Sequence, residues 1–261
     1  AEIVFRNVGL AIRDPAHAIR IAVQRPLKLE DLFGEVFEEL MNKRHALIPD
    51  IQNSGKWKKM LQAIQVDVLR KPCMTLPGCL EVVLGHLSFA KQRMDSQADP
   101  LAKFCLMLMP IALLLAFVSC DERINTAQRE RAASLLRKMQ PKFLHAAGVA
   151  ADWGLICIAF LRLFDRFNHD ISNSVDELEH FAETIQACFI KGGIFCRTPE
   201  APACGGGAVV TQGGTAAGKK ALFITERVRR QTQTKSVFRA GPEQIVVWGP
   251  ISETDIKDLS Q

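Results

Sequence analysis

A glycine-rich segment near the C-terminus has part of the spacing of a phosphate-binding loop. Residues 213–219 satisfy the G-x-x-x-x-G-K portion of that motif. The next position must supply a hydroxyl for Mg²⁺, and here it is Lys220. A helix should follow the loop, whereas residues 221–228 have the composition of a strand. The pattern therefore indicates a flexible loop rather than a site of nucleotide hydrolysis.

Two groups of residues have some of the ligand types of a zinc site. They are Cys73, Cys79 and His86 in the first group, and Cys188, Cys196 and Cys204 in the second. Structural zinc sites usually contain a short C-x2–4-C knuckle, which neither group has. We therefore expect thiols without a metal, and no other cofactor. A disulfide between Cys196 and Cys204 is an alternative if the chain meets an oxidising compartment.

The histidines and paired carboxylates do not form a recognisable catalytic set. The sequence contains neither an H-E-x-x-H nor a G-x-S-x-G motif. Paired acids such as Glu38 and Glu39 fall on a helix face that should be exposed, and Asp176 and Glu177 fall at a helix start. We predict no catalytic residue and a non-catalytic protein. An enzyme with a dispersed site stays a third hypothesis.

The clearest chemical signal is a basic segment interleaved with aromatic residues near the C-terminus. Basic side chains attract phosphates, and exposed rings on a sheet can stack on unpaired bases. We predict an RNA- or anion-binding surface with the basic contacts Lys219, Lys220, Arg227, Arg229, Arg230, Lys235 and Arg239. The stacking or anchoring rings would be Phe223, Phe238 and Trp248. The opposing interpretation is a solvated basic face whose rings pack inward.

Charge is distributed unevenly along the 261 residues. The whole chain has 33 basic and 28 acidic side chains, a net charge of +5. Residues 205–250 alone carry seven Lys and Arg against two Glu, whereas the 204 residues before them carry +2. A hydrophobic content of 48% permits a sizeable core and excludes global disorder. The basic excess is therefore a local feature of the C-terminal part.

Several features of the sequence favour an intracellular location. The eight cysteines are sparse, the first ten residues contain no apolar leader, and no Asn-x-Ser/Thr acceptor is present. We expect the cytoplasm or nucleus, with a virion component as one option.

The elements that position these residues are predicted to be mainly helices. Residues 101–120 are apolar all round, which is typical of a central helix wrapped by others. The run is shorter than a usual membrane span and is interrupted by Pro110, which should kink it near Met107. We therefore predict a core helix that begins at Asp99-Pro100, and no transmembrane span.

Further helices are predicted from apolar residues at three- and four-residue spacing. They are 27–41, a helix capped by Ser54 and ended by Lys71-Pro72, 80–94, 126–139 closed by Pro141, 153–167 capped by Asp152, and one that starts with a capping box at Ser174 and stops at Gly192-Gly193. Three short strands are predicted at 221–228, 236–239 and 244–248.

The predicted fold class is mainly α: a compact multi-helix domain around the central apolar helix 101–120, with a small C-terminal antiparallel β meander. We divide the chain into a helical domain, 1–197, a flexible Gly/Pro-rich loop, 198–219, and a basic β-rich arm, 220–261. This layout leaves the arm able to contact something outside its own subunit.

We expect a self-associating structural protein that binds single-stranded RNA or another anionic surface, such as an acidic protein or a peripherally contacted membrane. The layout is analogous to that of small nucleocapsid and matrix proteins of RNA viruses, without a motif match. The alternative is a helical regulatory or ligand-binding domain with a pocket between the 101–120 and 153–167 helices.

Overall fold

The structure is a computed structural model, and it describes residues 27, 30–70, 87, 95–164, 174–195, 223–242 and 244–260. These residues form a mainly helical protein with a two-stranded antiparallel sheet near the C-terminus, which confirms the predicted fold class. The predicted loop 198–219, most of the predicted helix 80–94, Lys219 and Lys220 lie outside the described residues.

Three helices make up the first described part. They are α1 at Asp31–Phe37, which continues as a π-helical turn at Glu38–Asn42, α2 at Leu47–Asn53 and α3 at Gly55–Arg70. Ser54 caps α3 as predicted, because its Oγ accepts a hydrogen bond from the Trp57 amide at 3.2 Å. Local capping chemistry therefore fixes where α3 begins.

The predicted central helix consists of two helices joined by a sharp bend. Helix α4 spans Asp95–Leu106 and α5 spans Leu108–Cys120, and their axes differ by 81°. The break lies at Met107, which confirms the predicted position of the kink. The predicted start was wrong, because α4 begins at Asp95 and Pro100 lies inside it. Nine of the thirteen residues of α5 are buried, so it is a core helix.

The next helices surround this pair. They are α6 at Thr126–Lys138, α7 at Pro141–Phe164, and α8 at Ser174–Ile185, which continues as a π-helical turn at Gln186–Ile190 and is followed by a 3₁₀ turn at Gly193–Phe195. The positive φ of Gly192, 70°, confirms the predicted left-handed stop. The helix predicted at 126–139 ends before Pro141, which begins α7, where its missing amide is tolerated. The predicted role of Asp152 was wrong, because it lies in the middle of α7 rather than at its cap.

Two parts of the described chain have the length and apolar composition of a membrane span. One is Pro141–Arg162 within α7, and the other is the bent pair Gln97–Leu106 and Leu108–Cys120. In the first, 83% of the apolar window is buried against the rest of the protein. Core helices have the same composition, so this finding is weak evidence for a membrane.

The C-terminal part contains a helix where the sequence predicted a strand. Its elements are α9 at Ile224–Thr232, β1 at Ser236–Arg239, β2 at Ile245–Trp248 and α10 at Glu253–Ser260. The strand prediction for 221–228 was wrong because Ile224, Val228 and Thr232 are buried at a spacing of four, which is a helical period. The two later strands are confirmed, with Val237 opposite Val247.

Helices α9 and α10 and strand β1 contact the helical body, and β2 contributes the buried Val246 and Trp248 to the same core. Helix α7 contacts α4, α9 and α10, while α5 contacts α3, α6 and β1. Lys142 of α7 pairs with Asp258 of α10 at 2.8 Å. Within the described part, residues 223–242 and 244–260 therefore belong to the same packed structure as the helices before them.

Two helices approach closely at Gly154, and this contact gives a prediction. A Cβ at Gly154 of α7 would lie 2.7 Å from the Ala98 Cβ of α4, whereas a Cβ at Gly34 of α1 would meet nothing within 4 Å. Both glycines are helical, so Gly→Ala gives each the same gain in helix propensity. We expect Gly154→Ala to be less stable than Gly34→Ala by about 1–3 kcal/mol, the cost of overpacking. Urea unfolding of both variants measures that difference, and equal stabilities would contradict the close contact.

Candidate anion-binding groove

Two of the predicted basic contacts are already paired inside the protein. Glu226 is buried on α9 and accepts hydrogen bonds from Arg229 Nε at 2.6 Å and from Arg230 Nε at 2.8 Å. Burial alone would raise the pKa of Glu226, but the two arginines outweigh it and hold that pKa below its ordinary value. Arg227 on the same helix is half-buried and also interacts within the protein. These arginines therefore have less capacity to hold an outside anion than the sequence predicts.

The predicted stacking rings are in or against the core. Trp248 is fully buried and Phe238 is 5% exposed, with their ring centroids 4.5 Å apart. Strand alternation turns both side chains toward α5, so they hold the hairpin on the body and present no open face to a base. Phe223 is half-buried and packs on a cluster that includes Cys188 and Ile194. The inward-packing interpretation of the aromatic residues fits this arrangement.

Of the other predicted contacts, Lys219 and Lys220 lie outside the described residues. Lys235 and Arg239 are exposed and have no ion-pair partner among the described residues. They flank β1 at its two ends. Two acids of the first helical segment are used elsewhere, because Glu35 of α1 and Glu39 of the π-helical turn after it both pair with Lys138 of α6. Glu39 is buried, so the prediction that it lies on an exposed face was wrong. Lys235 and Arg239 are therefore the predicted basic contacts that have no ion-pair partner within the part of the chain that the structure describes.

A groove of about 340 Å³ lies between α6 and the turn of the hairpin. One wall is a single face of α6, the other is the hairpin turn, and the end of α5 completes it. The lining residues are Thr126, Arg129, Glu130, Ala133 and Arg137 from α6, Ala240, Gly241, Pro242 and Gln244 from the turn, and Ser119 from α5. The groove therefore joins three elements that are distant in sequence.

Hydrogen bonds within α6 and between α5 and the hairpin turn hold the groove in shape. The Asn125 side chain caps α6 by accepting from the Ala127 amide at 2.8 Å. Ser119 Oγ accepts from the Gly241 amide at 3.0 Å and contacts the Ala116 carbonyl at 2.8 Å, to which it donates. Gly241 has a φ of 87°, a conformation that favours glycine. The turn is thus fastened to the end of α5.

Two arginines give the groove its chemistry. Arg129 Nη2 donates to Thr126 Oγ1 at 3.2 Å, while Arg129 Nε is buried without a hydrogen-bond partner among the described residues. Arg137 Nη1 donates to Gln244 Oε1 across the groove. Glu130 is the acidic residue among the lining residues, so their formal charge is +1. A guanidinium group that lines a groove can donate hydrogen bonds to the oxygens of a phosphate or carboxylate.

Sequence reasoning did not single out Arg129 or Arg137. Both lie on the helix predicted at 126–139, where Arg129, Ala133 and Arg137 follow one another at intervals of four and therefore share one face. The opposite wall is more than 100 residues later, and no spacing rule connects it to α6. The sequence therefore contained a signal for the two arginines on one helix face, and it contained none for the groove that they line.

The described residues contain no group of three or more His, Cys, Asp or Glu side chains that could hold a metal ion. Cys188 is a buried free thiol, and the other members of the two cysteine groups lie outside the described residues. No protein-family model, curated protein or solved structure matches the chain.

Proposed function

We propose that this chain is a non-catalytic protein that binds an anionic partner, single-stranded RNA in the first place, in the groove between α6 and the hairpin turn. The observation that carries the proposal is the pair of arginines, Arg129 and Arg137, on the one face of α6 that lines the groove. A phosphate oxygen in the groove would accept hydrogen bonds from these guanidinium groups.

The spacing of the two arginines suits a polymer of phosphates. Arg129 and Arg137 are eight residues apart on α6, which is about 12 Å along the helix axis. Each can contact a different phosphate of an extended strand. Since Phe238 and Trp248 are buried, base stacking by them is not part of the proposal. Binding through phosphates alone is expected to depend on salt and to tolerate different base sequences.

Binding of a labelled single-stranded RNA at several salt concentrations tests this proposal. For the variant Arg129→Ala/Arg137→Ala, we expect weaker binding and a slope of log K against log salt that is smaller by about 1.4, because each phosphate contact contributes about 0.7. Arg123→Ala is the matched control, since Arg123 is well exposed, pairs with Asp121 and does not line the groove.

Two results would overturn the proposal. One is a wild-type protein that ignores RNA at low salt. The other is a double variant that binds RNA with the same affinity and salt slope as Arg123→Ala, because the cations would then act from elsewhere. A nucleocapsid- or matrix-like role, or contact with an anionic membrane, rests on layout alone and stays a prediction.

The size of the groove favours a second candidate, a small phosphorylated or carboxylated ligand. A volume of about 340 Å³ is at the lower end of the range for small-molecule sites. In that case inorganic phosphate should raise the melting temperature of the wild type and not of Arg129→Ala, while RNA is not bound. The predicted pocket between the two apolar helices is less favoured, because α4 and α7 are in close contact at Ala98 and Gly154.

A further inference from the structure

The outer face of the hairpin is apolar and basic. Val237, Ile245 and Val247 are 42–69% exposed, while the opposite face of the same two strands packs on α5. The register places Val237 beside Val247 and Arg239 beside Ile245. Since side chains alternate along a strand, Lys235 falls on the same side as Val237 and Arg239. This surface, called here the hairpin face, combines three uncovered apolar side chains with two cations.

The outer side of α8 is apolar and acidic. Val175 is 61% exposed and Leu178 is 39% exposed, and Ala182 continues their row one turn later. A second row beside it consists of Asp176, Glu179 and Glu183, all of them exposed. These three acids have no ion-pair partner among the described residues. The two rows together are called here the α8 face.

The two faces match in length and in charge. Lys235 and Arg239 are four residues apart on an extended strand, about 13 Å. Asp176 and Glu183 are seven residues apart on a helix, about 10 Å. Long cationic side chains can span that difference. Laid side by side, the valines of the hairpin would cover the apolar row of α8, and the cations would meet the acidic row.

We propose that this chain self-associates head to tail, with the hairpin face of one copy docked on the α8 face of the next. The occupant follows from charge complementarity: a basic apolar face on the chain has an acidic apolar counterpart on the same chain. A symmetric contact between two hairpin faces would bring like charges together, and so would one between two α8 faces. Because the two faces are different surfaces, each copy keeps one of each free, and the contact generates a ring or an open filament.

Charge reversal tests the pairing directly. Sedimentation of the wild type over a wide range of concentration should show growth beyond a dimer, and added salt should weaken it. Lys235→Glu/Arg239→Glu makes the hairpin face acidic, and Glu179→Lys/Glu183→Lys makes the α8 face basic. Each variant alone should associate at least about tenfold more weakly than the wild type, because like charges then face each other.

Mixing the two variants is the decisive arm. The acidic hairpin face of one variant can pair with the basic α8 face of the other, and the remaining two faces are also complementary. Association should therefore return in the mixture. Arg44→Glu/Lys59→Glu is the matched control, since it reverses two exposed cations outside both faces. It has the same net charge as Lys235→Glu/Arg239→Glu and should associate like the wild type.

Three outcomes would overturn the proposal. A wild-type protein that is monomeric at every concentration would show that the proposed interface does not form. A charge-reversed variant that associates like the wild type places the contact elsewhere. Failure of the mixture to recover shows that the two faces do not meet each other. All substitutions are at exposed positions, so unchanged far-UV circular dichroism is expected and separates these results from unfolding.

Discussion

Trp248→Ala is expected to lower the free energy of unfolding by about 3–5 kcal/mol, the usual cost of removing a large aromatic side chain from a core. Trp248 has no exposed surface and packs against Phe238 under the hairpin. Removing it leaves a cavity between the hairpin and α5, so the wall of the groove that contains Gly241 should loosen too. Urea unfolding followed by circular dichroism measures the loss.

Two further variants separate this core role from a surface role. Val247→Ala changes a residue on the exposed side of the same strand and should alter the stability by less than about 0.5 kcal/mol. Trp248→Phe should cost less than Trp248→Ala, because Trp248 Nε1 is buried without a hydrogen-bond partner among the described residues. A Trp248→Ala protein of unchanged stability that had lost only its RNA affinity would contradict the burial of this ring.

Local signals in the sequence predicted much of the helical architecture. Ser54 and Gly192 mark helix ends through capping and left-handed geometry, which depend on neighbouring residues alone. The kink at Met107 followed from Pro110, which lacks an amide and crowds the preceding turn. Such rules need no knowledge of the tertiary structure, and they succeeded for this reason.

The wrong strand prediction for residues 221–228 also affected which arginines were predicted to be free to bind an anion. β-Branched residues at 224, 225 and 228 favoured a strand, although Ile224 and Val228 also have helical spacing. Glu226 stands three residues before Arg229 and four before Arg230. In a helix, that spacing predicts ion pairs between Glu226 and the two arginines. The two arginines would then have been removed from the list of free cations.

The groove could not be predicted because its walls come from parts of the chain that are distant in sequence. Arg137 meets Gln244 across 107 residues, and Ser119 meets Gly241 across 122. Only the packing of α5 against both α6 and β1 brings them together. Spacing rules apply within one element, so they could have placed Arg129 and Arg137 on one helix face but could not have indicated what faces them.

Asp152 was also misplaced by a rule that applies within one element, because its hydrogen-bond partners are distant in sequence. Its burial leads to the second prediction of a large effect, on the pH dependence of stability. It lies within α7, is almost fully buried, and accepts hydrogen bonds from the Ile224 and Thr225 amides at 2.8 Å. Thr225 Oγ1 donates to it as well, at 2.7 Å. The carboxylate therefore caps the start of α9 rather than that of its own helix. It fastens the C-terminal part of the chain to the longest core helix.

Burial raises the pKa of Asp152 to about 6, although its three hydrogen bonds act in the opposite direction. The ordinary value is 3.8, so the folded protein holds this proton more tightly than the unfolded chain does. The stabilisation from the protonated carboxyl is complete below about pH 4 and is lost as the pH rises through 6. A shift from 3.8 to about 6 corresponds to about 3 kcal/mol.

Asp152→Asn isolates this contribution. The free energy of unfolding of the wild type, minus that of the variant, is expected to fall by about 2.5 kcal/mol between pH 4 and pH 7.5, because the unfolded carboxyl is already partly ionised at pH 4. His145 works in the opposite direction, because burial lowers its pKa and its neutral ring loses stabilisation as the pH falls below about 6.5. Both proteins contain His145, so its effect cancels in the difference. Urea titrations at intervals across this range give the curve, and a difference that does not change with pH would show that the carboxyl capping α9 titrates normally.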